Sequence, residues 1–86
     1  NEDRDRVHIG SKFELTDTAP TVDGKGNEYY KVFKYQLVEP NEANPLASKI
    51  SILSPVGSAI LGKMLGDEIT VKTPRGEQVY KISKTA

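Results

Sequence analysis

From Val7 onward the odd positions Val7, Ile9, Phe13 and Leu15 are apolar while His8, Lys12 and Glu14 are polar. That two-residue period predicts a half-buried strand, with Gly10 marking a bulge. A second alternating run, from about Tyr29 to Val38, sets Phe33, Tyr35 and Leu37 on one face, read as the core face, and Lys34 and Gln36 on the other. Ile50 and Ile52 alternate with Ser51 and Leu53, so the isoleucines face one way and Leu53 the other. Then the period changes. Ser54 suits a helix N-cap and Pro55 the first helical position; Val56, Ala59 and Ile60 follow at helical spacing, and Gly62 reads as a left-handed stop. A Gly66-Asp67 turn leads to a strand in which Ile69 and Val71 alternate with Glu68, Thr70 and Lys72. Pro74-Arg75-Gly76 makes the next turn, and Tyr80 and Ile82 line the returning strand. The sum is four or five strands and one short helix: an α+β domain whose mostly antiparallel sheet curls against the helix.

The interruptions are as informative as the runs. Asn1 to Arg6 is a charged stretch with too few apolar residues to pack, read as a linker, which leaves residues 7–86 as one domain. Thr16 to Glu28 holds Pro20, Asp23-Gly24 and Gly26-Asn27 and reads as a loop or irregular hairpin turn. Glu39 to Ala47 carries Pro40 and Pro45, which suit neither a helix nor a central strand, so a rigid polar loop delivers the chain to Ile50. With Ile50 and Ile52 in the core, Leu53, Ser54 and Pro55 become an outward corner held on both sides by regular structure. Such a corner is a good place for a partner to dock.

Composition narrows the choice of partner. Eighty-six residues can form one modest core without staples. The absence of cysteine excludes a disulfide framework and thiolate metal sites and fits a reducing compartment. No apolar run approaches the ~20 residues of a membrane span, so a cytoplasmic protein with no membrane partner is expected. Twelve acids balance twelve bases, which argues against strong direct nucleic-acid binding.

Candidate chemistry is thin. Gly57 to Met64 nearly spells the phosphate-binding loop G-x-x-x-x-G-K-[ST], but Met64 cannot coordinate magnesium and Ala59, Ile60 and Leu61 fit a buried helix face. His8 is the only histidine, so no zinc site is expected and it reads as an exposed surface residue. Ser54 has no histidine placed to act as its base and is explained as a cap. Glu39 and Glu42 read as a solvated loop edge rather than an acid pair. Tyr29 to Tyr35 interleaves aromatics with Lys31 and Lys34 as a single-stranded nucleic-acid platform could, yet alternation assigns Phe33 and Tyr35 to the core. Neither cofactor, metal nor catalytic residue is expected.

Tyr35-Gln-Leu-Val-Glu-Pro-Asn-Glu-Ala-Asn44, Lys49-Ile-Ser-Ile-Leu-Ser-Pro-Val-Gly-Ser-Ala-Ile-Leu-Gly-Lys63, Gly66-Asp67 and Thr73-Pro-Arg-Gly76 together resemble the C-terminal domain of the Gre transcript-cleavage factors, GreA and GreB. The resemblance runs from Val7 to the end of the chain. It implies an FKBP-like domain of a bacterial transcription elongation factor that docks, as a monomer, on RNA polymerase at the rim of the secondary channel, gripping the coiled coil of the β′ subunit. At the level of the family it also carries an association with DNA. The family's N-terminal coiled-coil hairpin, whose tip acids help hold a catalytic magnesium for cleavage of backtracked RNA, has no counterpart in these residues. The cleavage role is therefore not transferred to Glu39 or Glu42. The family's docking loop corresponds to Leu53, Ser54 and Pro55, with Val56 beside them. Asn41 and Asn44 stand where the family often has aspartates. The alternatives are a related polymerase-channel regulator without cleavage activity and, in another class, a peptidyl-prolyl isomerase on the same fold.

Overall fold

The computed structural model describes residues 5–85. Among these residues seven strands and one α-helix run in the order β1 (Lys12–Asp17), β2 (Thr21–Val22), β3 (Glu28–Tyr29), β4 (Val32–Val38), β5 (Lys49–Ser51), α1 (Pro55–Ile60), β6 (Glu68–Thr73) and β7 (Gly76–Thr85). Five of the strands form one sheet, in the order β5-β4-β1-β7-β6, and β2 and β3 form a separate two-stranded ribbon. The α+β architecture predicted from periodicity is the one observed. All pairings are antiparallel except β4 with β5, where Gln36, Leu37 and Val38 run parallel to Lys49, Ile50 and Ser51.

That parallel pair needs a crossover, and the two prolines supply it. Pro40–Glu42 and Pro45–Ala47 are single 3-10 turns, each opened by its proline. The Asn44 side chain caps the second, accepting from the Leu46 N–H at 3.2 Å. An amide oxygen suffices for that cap, so the loop keeps its shape without a carboxylate at this position.

One face of the sheet is apolar. Phe13 and Leu15 of β1, Leu37 of β4, Ile69 and Val71 of β6, and Ile82 of β7 share one cluster with Val7 and with Ile60 of α1. Helix α1 lies against β6 and β5, closing this core from the side the isoleucines face. Phe33, Tyr35 and Tyr80 pack at its margin, with Phe33 stacked on Tyr35 at 6.3 Å and edge-on to Tyr80 at 5.7 Å. Burial, then the charge of Asp17 and the neighbouring Tyr35, pushes the Tyr80 hydroxyl above its ordinary pKa of 10.0.

Two sequence expectations are corrected. The strand predicted from Val7 begins only at Lys12, because Gly10 turns with φ +95° and the Ser11 N–H closes onto the His8 carbonyl at 2.9 Å. Val7 is still buried, held by residues far along the chain: its N–H donates to the Lys63 carbonyl at 2.7 Å and its carbonyl accepts from Gly62 at 2.8 Å. Ile9, assigned to the same buried face, is exposed. The Tyr29–Val38 run is likewise two strands, broken at Tyr30 and Lys31 where β3 peels away to pair with β2.

Of the stretch read as a linker, residues 1–4 lie outside the described residues. The Asp5 carbonyl accepts from Leu65 at 2.6 Å, and an Arg6 guanidinium nitrogen donates to the Gly62 carbonyl at 2.9 Å.

Candidate docking corner

The corner is built from three residues spaced three apart. Strand β5 ends at Ser51, and the Ile52 N–H still reaches the Val38 carbonyl at 3.0 Å, so the chain leaves the sheet in a fixed direction. The Ser51 hydroxyl then accepts the Leu53 N–H at 2.9 Å, while its carbonyl accepts both the Ser54 N–H at 3.0 Å and the Ser54 hydroxyl at 2.7 Å. Ser54 Oγ accepts the Gly57 N–H at 3.0 Å, satisfying a free amide of the first helical turn, and Pro55 occupies the first position. The N–H groups of Leu53, Ser54 and Gly57 thus all find acceptors within the corner.

Gly57 completes the set. A Cβ built there would overlap the Ser51 carbonyl oxygen and come within 2.9 Å of Ser54 Oγ, so the helix can approach the strand end this closely only with glycine at 57. The sequence reading attached Gly57 to a near-miss phosphate loop and passed over this role. The signal that could have found it is the Ser51, Ser54, Gly57 spacing itself, which brings strand exit, cap and first helical turn onto one side.

The four proposed site residues divide by exposure. Leu53 keeps 75% of its surface in water and Pro55 is exposed beside it. Ser54 is half-buried by its capping bonds, and Val56 packs against the core cluster. What the corner offers outward is therefore a Leu–Pro pair on a backbone with little freedom, while Ser54 and Val56 hold it from behind. Such a surface suits recognition by shape and apolar contact.

Elsewhere the chemistry is sparse. His8, Glu39 and Glu42 are exposed, and among the described residues no group of His, Asp and Glu is arranged to hold a metal ion. Gly57 to Ile60 of the near-phosphate motif is helical rather than a phosphate-wrapping loop. Lys31 and Lys34 are exposed with Tyr29 and Tyr30, while Phe33 and Tyr35 are engaged with each other and the core. No helix among the described residues is long and apolar enough to cross a membrane.

Comparison with known proteins gives the geometry a context. Residues 2–85 match the family model for the C-terminal domain of the transcription elongation factors GreA and GreB. The chain is 54% identical over 55 residues to transcription elongation factor GreA of Solidesulfovibrio magneticus, an overlap of 64% of this chain and 34% of the relative. It is 40% identical over 78 residues to GreA of Clostridium acetobutylicum, covering 91% of this chain and 44% of the relative. The chain thus spans less than half the length of these curated relatives. Among solved structures, Thermus aquaticus Gfh1 is similar with a TM-score of 0.75 and 33% identity, over 92% of this chain and 46% of that one.

Proposed function

The chain belongs to the GreA/GreB family of transcription elongation factors, matching its C-terminal domain, and from that membership we propose that this domain docks on RNA polymerase at the rim of the secondary channel. Leu53 and Pro55 make the apolar contact with the coiled coil of the β′ subunit, and Ser54 and Val56 fix their position. The observation that carries the reading is the 75% exposure of Leu53 on a corner whose backbone is locked by Ser51, Ser54 and Gly57. A preformed corner loses little conformational freedom on binding, and covering a leucine side chain contributes about 1.5–3 kcal/mol.

In this reading the domain contributes position and the polymerase contributes the cleavage chemistry. The whole factor rescues arrested complexes by promoting cleavage of backtracked RNA. The purified domain is expected to bind polymerase, to leave cleavage of backtracked RNA unstimulated, and to compete with a full-length GreA. Strong stimulation of cleavage by the domain alone would overturn the division of labour, and absence of binding would overturn the docking.

Family membership is equally compatible with a second reading, in which the protein occupies the channel without promoting cleavage. Docking through the corner is common to both readings. They separate on whether the full-length protein stimulates or inhibits cleavage.

A further inference from the structure

The outer face of the sheet, opposite the core, has an uneven distribution of charge. On its β6–β7 half the charges are matched across strands, with Glu68 opposite Lys81 and Lys72 opposite Glu77. On its β5–β4–β1 half they are not. Lys49 pairs in register with Gln36 and Gln36 with Lys12, while Lys34 and Lys84 flank Glu14 from either side. Residues that face one another across strands share a face, so four lysines, Lys12, Lys34, Lys49 and Lys84, share this half-face with one carboxylate, Glu14.

Glu14 answers only one of them. It pairs with Lys84 at 3.4 Å and its side chain is only 19% exposed. Lys12, Lys34 and Lys49 are exposed and have no ion-pair partner among the described residues. The chain as a whole is neutral, so this half-face concentrates positive charge that is balanced elsewhere.

The same half-face is concave. A cleft of about 650 Å³ runs over it, bounded by these lysines on the sheet and by Ala47 and Leu65 from the loops at either end. Leu65 is among the large apolar side chains left exposed. Lysine stems add apolar wall below their ammonium groups.

We propose that this cleft binds an acidic, leucine-bearing protein segment, with its carboxylates on Lys12, Lys34 and Lys49 and its apolar side chains against Leu65 and Ala47. Charge complementarity argues for the acid. A peptide fits the cleft better than a nucleic-acid strand, because neither ring that lines it is free to stack bases: Phe13 is buried in the core and Tyr35 is stacked on Phe33. The surface is distinct from the Leu53–Pro55 corner, and the proposal stands whether or not that corner grips polymerase.

Fluorescence anisotropy tests it with a labelled twelve-residue peptide alternating Glu and Leu and, in parallel, labelled oligouridine of the same length. The account expects saturable peptide binding that weakens as salt is raised. It expects about a tenfold loss of affinity when Lys12, Lys34 and Lys49 are all replaced by Gln, and no change in Lys72→Gln. All four substitutions are at exposed sites, and a circular-dichroism melt within a few degrees of wild type would verify folding. Absence of peptide binding, equal binding by the triple variant, or tighter binding of oligouridine than of the peptide would each overturn the assignment.

Discussion

Replacing Gly57 with alanine asks most sharply whether the corner is built as described. By helix propensity alone the change should stabilise, since alanine in a helix is favoured over glycine by about 1 kcal/mol. Packing opposes it. The new Cβ would overlap the Ser51 carbonyl oxygen, and also lie 2.9 Å from both the Ser51 carbonyl carbon and Ser54 Oγ. A backbone carbonyl has no rotamer by which to escape, so the helix must shift away from the strand end, at the upper end of the 1–3 kcal/mol typical of overpacking. That movement also loosens the Ser54 cap, which contributes about 1 kcal/mol. About 3 kcal/mol for overpacking and 1 for the cap, less 1 of propensity, leaves a net loss of about 3 kcal/mol. For a domain of this size, that is a fall in Tm of roughly 12–24 °C. Urea denaturation followed by circular dichroism measures it, with Ser58→Ala, at an exposed position of the same helix, as the control expected to change little. A Gly57→Ala protein as stable as wild type would refute the close approach of helix to strand, and with it the rigidity on which docking rests.

Three further outcomes follow from the same geometry. Ser54→Ala removes the acceptor for the Gly57 N–H and should cost about 1 kcal/mol in chemical denaturation while leaving the fold in place. Removing the apolar side chain in Leu53→Asp should change stability by no more than about 0.5 kcal/mol, because the side chain is exposed, yet reduce polymerase retention in a pull-down by tenfold or more. The Asp23 carboxylate accepts the backbone N–H groups of Asn27 at 2.9 Å and Lys25 at 2.8 Å, which hold its pKa below the ordinary 3.8. Its contribution to the β2–β3 turn is therefore present above 3.8 and lost as pH falls through the lowered value. An NMR titration should give an Asp23 midpoint below 3.8, with the Asn27 amide shifting in step, and a midpoint at or above 3.8 would contradict the turn geometry.

The parts of the fold legible in the sequence are those decided locally. Alternation placed Ile69, Val71 and Leu37 in the core because one face of each strand is covered. The Ser54-Pro55 pair located the helix start because both residues answer the same shortage of backbone partners. What could not be read depends on distant residues. Val7 is buried through bonds to Gly62 and Lys63, and no local pattern separates that from a strand. The break at Tyr30 arises because β3 finds its partner in β2 rather than in the main sheet. In the corner, Leu53 was placed outward by the two-residue period, whereas the role of Gly57 requires knowing that the Ser51 carbonyl lies against it. The outer lysines look ordinary along the chain, and only the strand order β5-β4-β1-β7-β6 reveals that four of them share one half-face with a single glutamate.

The central claim is that the Leu53–Pro55 corner is the surface this domain presents to RNA polymerase. Titration calorimetry of the isolated β′ coiled coil against the wild-type domain and a Leu53→Asp, Pro55→Ala double variant of matched thermal stability tests it directly. The account predicts a measurable complex with the wild type and at least a tenfold weaker one with the variant. Equal affinities would contradict it.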